Sequence, residues 1–255
     1  MLSDSAFLRY QRQIALPEIG EVGQSRLNRC SVLIIGCGGL GSAAGMYLAA
    51  AGVGNLVISD DDIVETSNLQ RQVIYRESDI NSNKVDAMAN QMQSINGQLN
   101  VRKLNRRLNE DQLNLEVMMA DAVLDCSDNL PTRHLINRIC HRQAKPLISG
   151  SAIGWRGQFA VFNFVQSTTG CYQCLVPEED FDRALKCSDS GIIGPVVGTI
   201  GNYQALATLQ VLALDDVGFK SNQLHLFDGK SLKWQTLTIR SDTECRVCAQ
   251  HKKAS

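Results

Sequence analysis

The chain has 255 residues, 44% of them hydrophobic and 20% charged, with 25 Lys and Arg against 26 Asp and Glu. A formal charge of −1 supplies no general attraction for nucleic acid. No apolar run approaches the ~18 residues a bilayer span needs, and residues 1–5 lack the basic-then-apolar pattern of a secretory leader. These features predict a cytoplasmic protein with a sizeable core and no membrane or nucleic-acid partner. In that setting the nine cysteines read as ligands, reactive thiols or small core residues rather than as a disulfide framework.

Residues 5–29 set Arg9, Arg12, Arg26 and Arg29 among apolar positions on either side of Pro17, which predicts helix, turn and helix. The continuous β-prone run 30–35 predicts a strand buried on both faces. An Ala-rich helix follows over 40–51, ended by Gly52-Val53-Gly54, and a second strand over 55–59 ends at Asp60-Asp61-Asp62. Together these form a βαβ unit. The alternation continues with a helix over 83–95, a strand over 99–104, a helix over 109–119, a strand over 122–126, a helix over 132–143 and a strand over 146–149. After Gly150 the pattern changes to an alternating strand over 158–164, a long apolar helix within 194–214, and strands 224–227 and 234–239 paired as a hairpin around Asp228-Gly229. The predicted fold is therefore α/β: a doubly wound, Rossmann-like, mostly parallel sheet with a C-terminal antiparallel extension. With no internal repeat or low-complexity linker, residues 1–255 read as one unit, comprising N-terminal helices (1–29), a nucleotide-binding half (30–150) and a second half (151–255).

Two patterns carry chemistry. Gly36-Cys37-Gly38-Gly39-Leu40-Gly41 joins the first predicted strand to the first long helix, where glycines admit a phosphate to the backbone and the helix N-terminus offers free N–H groups. Asp60, at the end of the next strand, is placed to accept from ribose hydroxyls. This much suits NAD, FAD or ATP equally. Asn68, Arg71 and Lys84 then put an amide and two cations in a short stretch, which suits a triphosphate better than a dinucleotide. Asp125-Cys126-Ser127-Asp128-Asn129 falls at the carboxyl end of a predicted strand, where a carboxylate could hold Mg²⁺ against phosphate oxygens.

The second pattern is a pair of C-x-x-C hooks, Cys171/Cys174 and Cys245/Cys248, roughly seventy residues apart. Four thiolates from two tight turns predict a structural Cys₄ Zn²⁺ site with no position left open for water. The remaining cysteines divide differently. Cys30, Cys126 and Cys140 read as buried small residues and Cys37 as a spacer in the glycine turn, whereas Cys187, beside Lys186 in a polar stretch, reads as a thiolate able to attack an acyl group or exchange sulfur. Asp61 and Asp62 read as solvated neighbours of Asp60, Arg9 as one half of a surface ion pair, and the basic run 102–107 as an exposed strand face.

In family order, Arg9-Tyr10-Gln11-Arg12-Gln13, the glycine turn, Ser67-Asn68-Leu69-Gln70-Arg71-Gln72, Asp125-Cys126-Ser127-Asp128-Asn129 and both hooks resemble the ThiF/MoeB/HesA adenylyltransferases, relatives of the adenylation domains of ubiquitin-activating enzymes. The segments Gly170–Leu175, Gly194-Pro195-Val196-Val197-Gly198 and 226–234 look most like the thiamine-pathway branch. The resemblance implies an ATP- and Mg²⁺-dependent nucleotidyltransferase that adenylates the C-terminal Gly-Gly carboxylate of a ubiquitin-like sulfur-carrier protein. It implies a homodimer, and a sulfur donor such as a cysteine desulfurase or rhodanese-type protein. Position by position, Gly38 and Gly41 would line the nucleotide and Asp60 would hold the ribose. Asn68, Arg71 and Lys84 would contact the phosphates, Asp128 would ligate magnesium, and Arg12 would reach the partner subunit's site. A cysteine at the place of Cys187 is linked in the family to a covalent bond with the carrier. Three rivals stand beside this reading: a molybdopterin-branch adenylyltransferase, an NAD-linked oxidoreductase on the same glycine turn, and a non-catalytic zinc-stapled scaffold that binds a carrier.

Overall fold

The structure is a computed structural model that describes residues 2–164, 170–177, 191–215 and 217–249. Its centre is an eight-stranded sheet in the order β3-β2-β1-β4-β5-β6-β7-β8. The strands are β1 Ser31–Ile35, β2 Asn55–Ser59, β3 Asn100–Leu104, β4 Ala122–Asp125, β5 Leu147–Ile153, β6 Arg156–Phe162, β7 Gln223–Asp228 and β8 Lys233–Thr238. The first five run parallel, and the last three join β5 antiparallel. The helices described are α1 Asp4–Ile14, α2 Gly20–Leu27, α3 Gly39–Ala51, α4 Lys84–Ile95, α5 Glu110–Met119, α6 Leu130–Arg142, α7 Tyr172–Leu175 and α8 Gly194–Ala213.

Both faces of the sheet are covered, as the unbroken apolar run of β1 requires. Val32 and Ile34 enter the core beneath α3, α4 and α8, while Leu33 and Ile35 enter the one beneath α5, α6 and α7. Glycines let α3 lie close to its neighbours. A Cβ on Gly201 of α8 would sit 2.5 Å from the Leu40 carbonyl oxygen, and one on Gly45 would sit 2.3 Å from Met88 Cε. The helix ends where Gly52 takes the left-handed conformation at φ 86°, with its N–H returned to Ala49 O.

The predicted alternation of strands and helices is present, and of the boundaries that move two are instructive. The predicted break at Gly150 is instead the middle of β5, which runs on to Ile153 and turns at Gly154 (φ 58°) into β6. Gly150 is needed there because a Cβ would stand 2.4 Å from Gln204 Oε1 of α8. The helix predicted from residue 132 begins two residues earlier, where Asn129 Oδ1 accepts the Thr132 N–H at 3.0 Å and Pro131 occupies the first turn.

Candidate functional site

The strand order reverses between β1 and β4, and the crevice outside their carboxyl ends is where open parallel sheets bind ligands. In register, Ile35 pairs with Ser59 on one side and Asp125 on the other, so the segments leaving β1, β2 and β4 emerge together. The chain leaves β1 through Gly36, held at φ 96°, where a Cβ would lie 2.6 Å from Cys126 O. Only glycine fits that pass between two strand ends.

The glycines of the turn have separate duties. A Cβ on Gly41 would fall 1.9 Å from Gly36 O and one on Gly39 2.4 Å from Val197 Cγ1 of α8, so these two close the packing around the turn. Gly38 is different: it caps α3 with extended backbone, and the nearest atom to its missing Cβ is Gln72 Nε2 at 3.9 Å. The first intrahelical bond of α3 runs from the Ser42 N–H to Gly38 O at 2.9 Å. The N–H groups of the first turn therefore face outward beside Gly38 with the positive end of the helix dipole. The expectation that Gly38 and Gly41 share one role is thus refined, with Gly38 bordering the open space and Gly41 allowing the helix to sit on the strand.

Asp60 follows β2 directly. One carboxylate oxygen accepts the Cys37 N–H at 2.6 Å and the other the Asp62 N–H at 2.9 Å. Burial raises its pKa while these two N–H bonds and Lys84 act in the opposite direction. Lys84 opens α4, and its Nζ donates to Asp62 Oδ2 at 2.7 Å, with side chains 7% and 66% exposed. Asp62 is solvated, as expected, and also serves as the lysine's counter-ion. Asn68 closes a 3₁₀ turn and is buried, with its Oδ1 accepting the Glu65 N–H at 3.2 Å. Arg71 is half-buried, and its Nη1 donates back to Ser67 O at 3.0 Å.

Beyond β4 the acidic pair divides. Asp125 is enclosed: it accepts from the Ser127 hydroxyl at 2.6 Å and faces Arg133 Nη1 at 3.3 Å. Arg133 also donates to the carbonyls of Ser127 and Gly150, so the buried pair binds the loop after β4 to β5. Asp128 is left exposed at the mouth of that loop, immediately before the helix cap Asn129. Cys37 and Cys126 border the crevice as buried thiols whose pKa values burial raises, which leaves neither a ready nucleophile.

At the other end of the chain, the sulfurs of Cys171, Cys174, Cys245 and Cys248 lie within 4.8 Å of one another. Cys171 and Cys245 are 3.7 Å apart, and Cys174 and Cys248 are 3.4 Å apart. A tetrahedron with zinc–sulfur arms of about 2.3 Å has edges of about 3.8 Å, close to the two spacings here, so this donor set suits zinc. The sulfurs also accept from surrounding N–H groups, as thiolate ligands do: Asp242 N to Cys174 at 3.4 Å and Cys248 N to Cys245 at 3.5 Å.

A model of the ThiF family matches residues 10–247. The sulfur carrier protein ThiS adenylyltransferase of Escherichia coli (strain K12) is 42% identical over 247 residues, which is 97% of this chain and 97% of that relative. The chain belongs to the ThiF family. Another relative is the adenylyltransferase and sulfurtransferase MOCS3 of Culex quinquefasciatus, 39% identical over 98% of this chain. The match covers 57% of that protein, so the chain spans little more than half its length. Among solved structures, E. coli MccB with succinimide has a TM-score of 0.82 at 22% identity, covering 97% of this chain and 74% of that one. MccB with ATP has a TM-score of 0.78 at 23% identity, covering 89% and 68%. Those two likenesses are of fold.

Of the residues singled out in this ThiF-family sequence, Gly38, Asp60, Asn68, Arg71, Lys84 and Asp128 all lie on segments that border the β1/β4 crevice. Arg12 is not among them. Its helix packs where α3 ends: a Cβ on Gly52 would strike the Tyr10 ring, and Gln13 donates to Ala51 O at 3.0 Å. Thirteen residues of α3 place that end about 20 Å from the glycine turn. Arg9 donates to Ile95 O at 3.1 Å at the C-terminus of α4, in place of the expected surface ion pair. In the basic run, Arg102 bonds Glu116, Lys103 bonds Asp86 and Arg107 meets Asp61, so much of this charge is spent inside the chain. Cys30 is half-buried rather than buried. Cys187 lies outside the described residues.

Two residues escaped the sequence reading. Gln72 is 3% exposed, and its Oε1 is buried without a hydrogen-bond partner. Its position next to Arg71 in the motif was a usable signal. Arg133 had none, because an arginine eight residues after an aspartate reads as a solvated helix charge until the helix face is known.

Proposed function

We propose that this ThiF-family chain is an ATP-dependent adenylyltransferase that activates the C-terminal Gly-Gly carboxylate of a ubiquitin-like sulfur-carrier protein of the ThiS type. The observation that carries this reading is the convergence of the open helix N-terminus at Gly38, the buried cation Lys84 and the exposed carboxylate Asp128 on one crevice, in a chain 42% identical to a ThiS adenylyltransferase over nearly its full length.

In this reading the triphosphate lies along the N-terminus of α3, where backbone N–H groups and Lys84 meet its charge, with Arg71 turning from Ser67 O to join them. Asp60 takes the ribose, and Asn68 donates from its amide. A carrier carboxylate oxygen attacks the α-phosphorus, the bond from that phosphorus to the bridging oxygen of the β-phosphate breaks, and pyrophosphate leaves with the electron pair. The products are an acyl adenylate and pyrophosphate. The carboxylate is ionised at neutral pH and needs no base, so the chain's task is alignment and neutralisation of charge. Asp128 would hold Mg²⁺, which supplies charge screening between the α- and β-phosphates when bound. The four cysteines would hold a structural zinc.

The finer assignments rest on the same reading: a carrier of thiamine biosynthesis, a cytoplasmic location, a separate sulfur donor, a covalent role for Cys187, and a homodimer in which Arg12 of each chain serves the other's crevice. ATP–pyrophosphate exchange with purified carriers tests nucleotide, reaction and partner together. Exchange dependent on a ThiS-type carrier is the expected result, and exchange with none of the carriers would remove the proposal. A second reading, a carrier of molybdopterin synthesis, is favoured by the 39% identity to MOCS3, and the carrier that becomes adenylated separates the two. Nicotinamide binding without exchange would mark the oxidoreductase. Carrier binding unaffected by Asp128→Ala, with no adenylation by either protein, would mark the scaffold.

A further inference from the structure

The cysteine hooks resemble a staple at the chain's end, but the first of them is seated on α6, the helix that begins immediately after Asp128 and Asn129. Asn137, fully buried on α6, holds it by both ends of its amide. Its Oδ1 accepts the Tyr172 N–H at 3.0 Å, and its Nδ2 donates to Cys171 Sγ at 3.5 Å. One turn earlier on the same face, Arg133 carries the bonds to Asp125, Ser127 and Gly150 that hold the loop after β4. The Tyr172 ring packs edge-on against His134, with ring centroids 5.3 Å apart. The same short segment, Cys171-Tyr172, therefore touches the metal cage on one side and the support of the Asp128 loop on the other.

We propose that Asn137 is a positioning residue that couples the metal cage to the nucleotide crevice: its amide orients Cys171 toward the metal and, through α6 and Arg133, sets Asp128 at the crevice mouth. The inference deepens the adenylyltransferase reading and rests on it for the role of Asp128. The bond to Cys171 stands on geometry alone. An N–H directed at a ligating sulfur stabilises the thiolate and fixes its orientation, and losing such a partner weakens metal binding. Asparagine is suited to the position because one side chain supplies both the donor for sulfur and the acceptor for the backbone N–H.

The test uses the full chain loaded with zinc. Competition with a chromophoric chelator reads zinc affinity, and calorimetric titration reads affinity for ATP with and without Mg²⁺. Asn137→Asp keeps an acceptor for Tyr172 but removes the donor and adds a negative charge beside four thiolates. Its zinc affinity is expected to fall roughly 10- to 100-fold. Asn137→Ser, zinc-loaded, is expected to bind MgATP roughly fivefold more weakly, with less change for ATP alone, since Asp128 acts through the cation. Wild-type zinc affinity in Asn137→Asp, or wild-type MgATP affinity in zinc-loaded Asn137→Ser, would overturn the coupling. Should either variant fail to fold by circular dichroism, Tyr172→Phe keeps the ring and removes the hydroxyl that faces Arg133. It is expected to retain zinc and lose MgATP affinity, and unchanged MgATP affinity there overturns the coupling equally. A wild-type chain that binds zinc but no MgATP would instead bring down the nucleotide reading, and the coupling with it.

Discussion

At the scale of single residues, the glycine turn separates two kinds of requirement that a motif string merges. Gly38→Ala adds a methyl into open space, so the chain is expected to fold with a Tm within a few degrees of wild type. The methyl would stand where a phosphate oxygen approaches, lowering ATP affinity by about tenfold or more, as titration calorimetry would read. Gly41→Ala puts a carbon 1.9 Å from a backbone oxygen. It is expected to cost more than about 4 kcal/mol and to yield little folded protein. Lys84→Gln tests the cation. Its partner Asp62 is largely exposed, so the loss of stability should stay below about 1 kcal/mol, while pyrophosphate exchange falls on the order of 100-fold. Asp60 supplies a pH signature. Its pKa is raised by burial, so it protonates at higher pH than an ordinary aspartate and would there lose its proposed role as acceptor for ribose. Nucleotide affinity should decline on acidification in that window, and Asp60→Asn should abolish this acid limb. For folding the sign is opposite: the folded state disfavours the ionised form, so Asp60 contributes less to stability as pH rises from 3.8 through the raised value.

At the scale of elements, the strands and the α3 turn were legible because burial on two faces writes an unbroken apolar run, and because glycines before a helix have few other uses. Gly150 was misread for the same reason: a glycine after an apolar strand looks like a break, whereas here it admits Gln204 from α8, a contact between residues 54 positions apart that no local pattern encodes. The Asp125–Arg133 pair is likewise a tertiary fact. It depends on which face of α6 turns inward, and the residues between them carry no mark of it. Because Asp125 is 1% exposed, Arg133→Met strands a buried carboxylate and is expected to cost about 3–5 kcal/mol in urea unfolding. Pairing it with Asp125→Asn should recover part of that loss, and the shortfall from additivity measures the interaction.

At the scale of the whole molecule, Gly38, Asp60, Asn68, Arg71, Lys84 and Asp128 border the crevice, whereas Gly41 packs α3 onto the strand and Arg12 lies at the far end of α3. Family resemblance named that residue, and in the proposed homodimer it would serve the other subunit's crevice. Mixing Arg12→Ala chains with Asp128→Ala chains, each inactive alone, should restore about a quarter of wild-type activity if subunits exchange freely in a two-fold dimer. No recovery on verified mixing would assign Arg12 elsewhere. The metal hooks have a consequence of another kind. They flank the β7–β8 hairpin, in which Trp234, the one half-buried residue of β8, packs against Tyr203 and Phe227 while the rest of the strand is exposed. A strand with one apolar anchor has its register specified less strongly than a strand with a buried face. Cys245 and Cys248 lie beyond the end of β8 at Thr238, so the connecting residues 239–244 would have to absorb a slip of one residue, about 3.3 Å, for the four sulfurs to keep their spacing. A metal closed in the cage would therefore strain a slipped hairpin and favour the native one, acting as a proofreader that biases the sheet toward one registry over its neighbours.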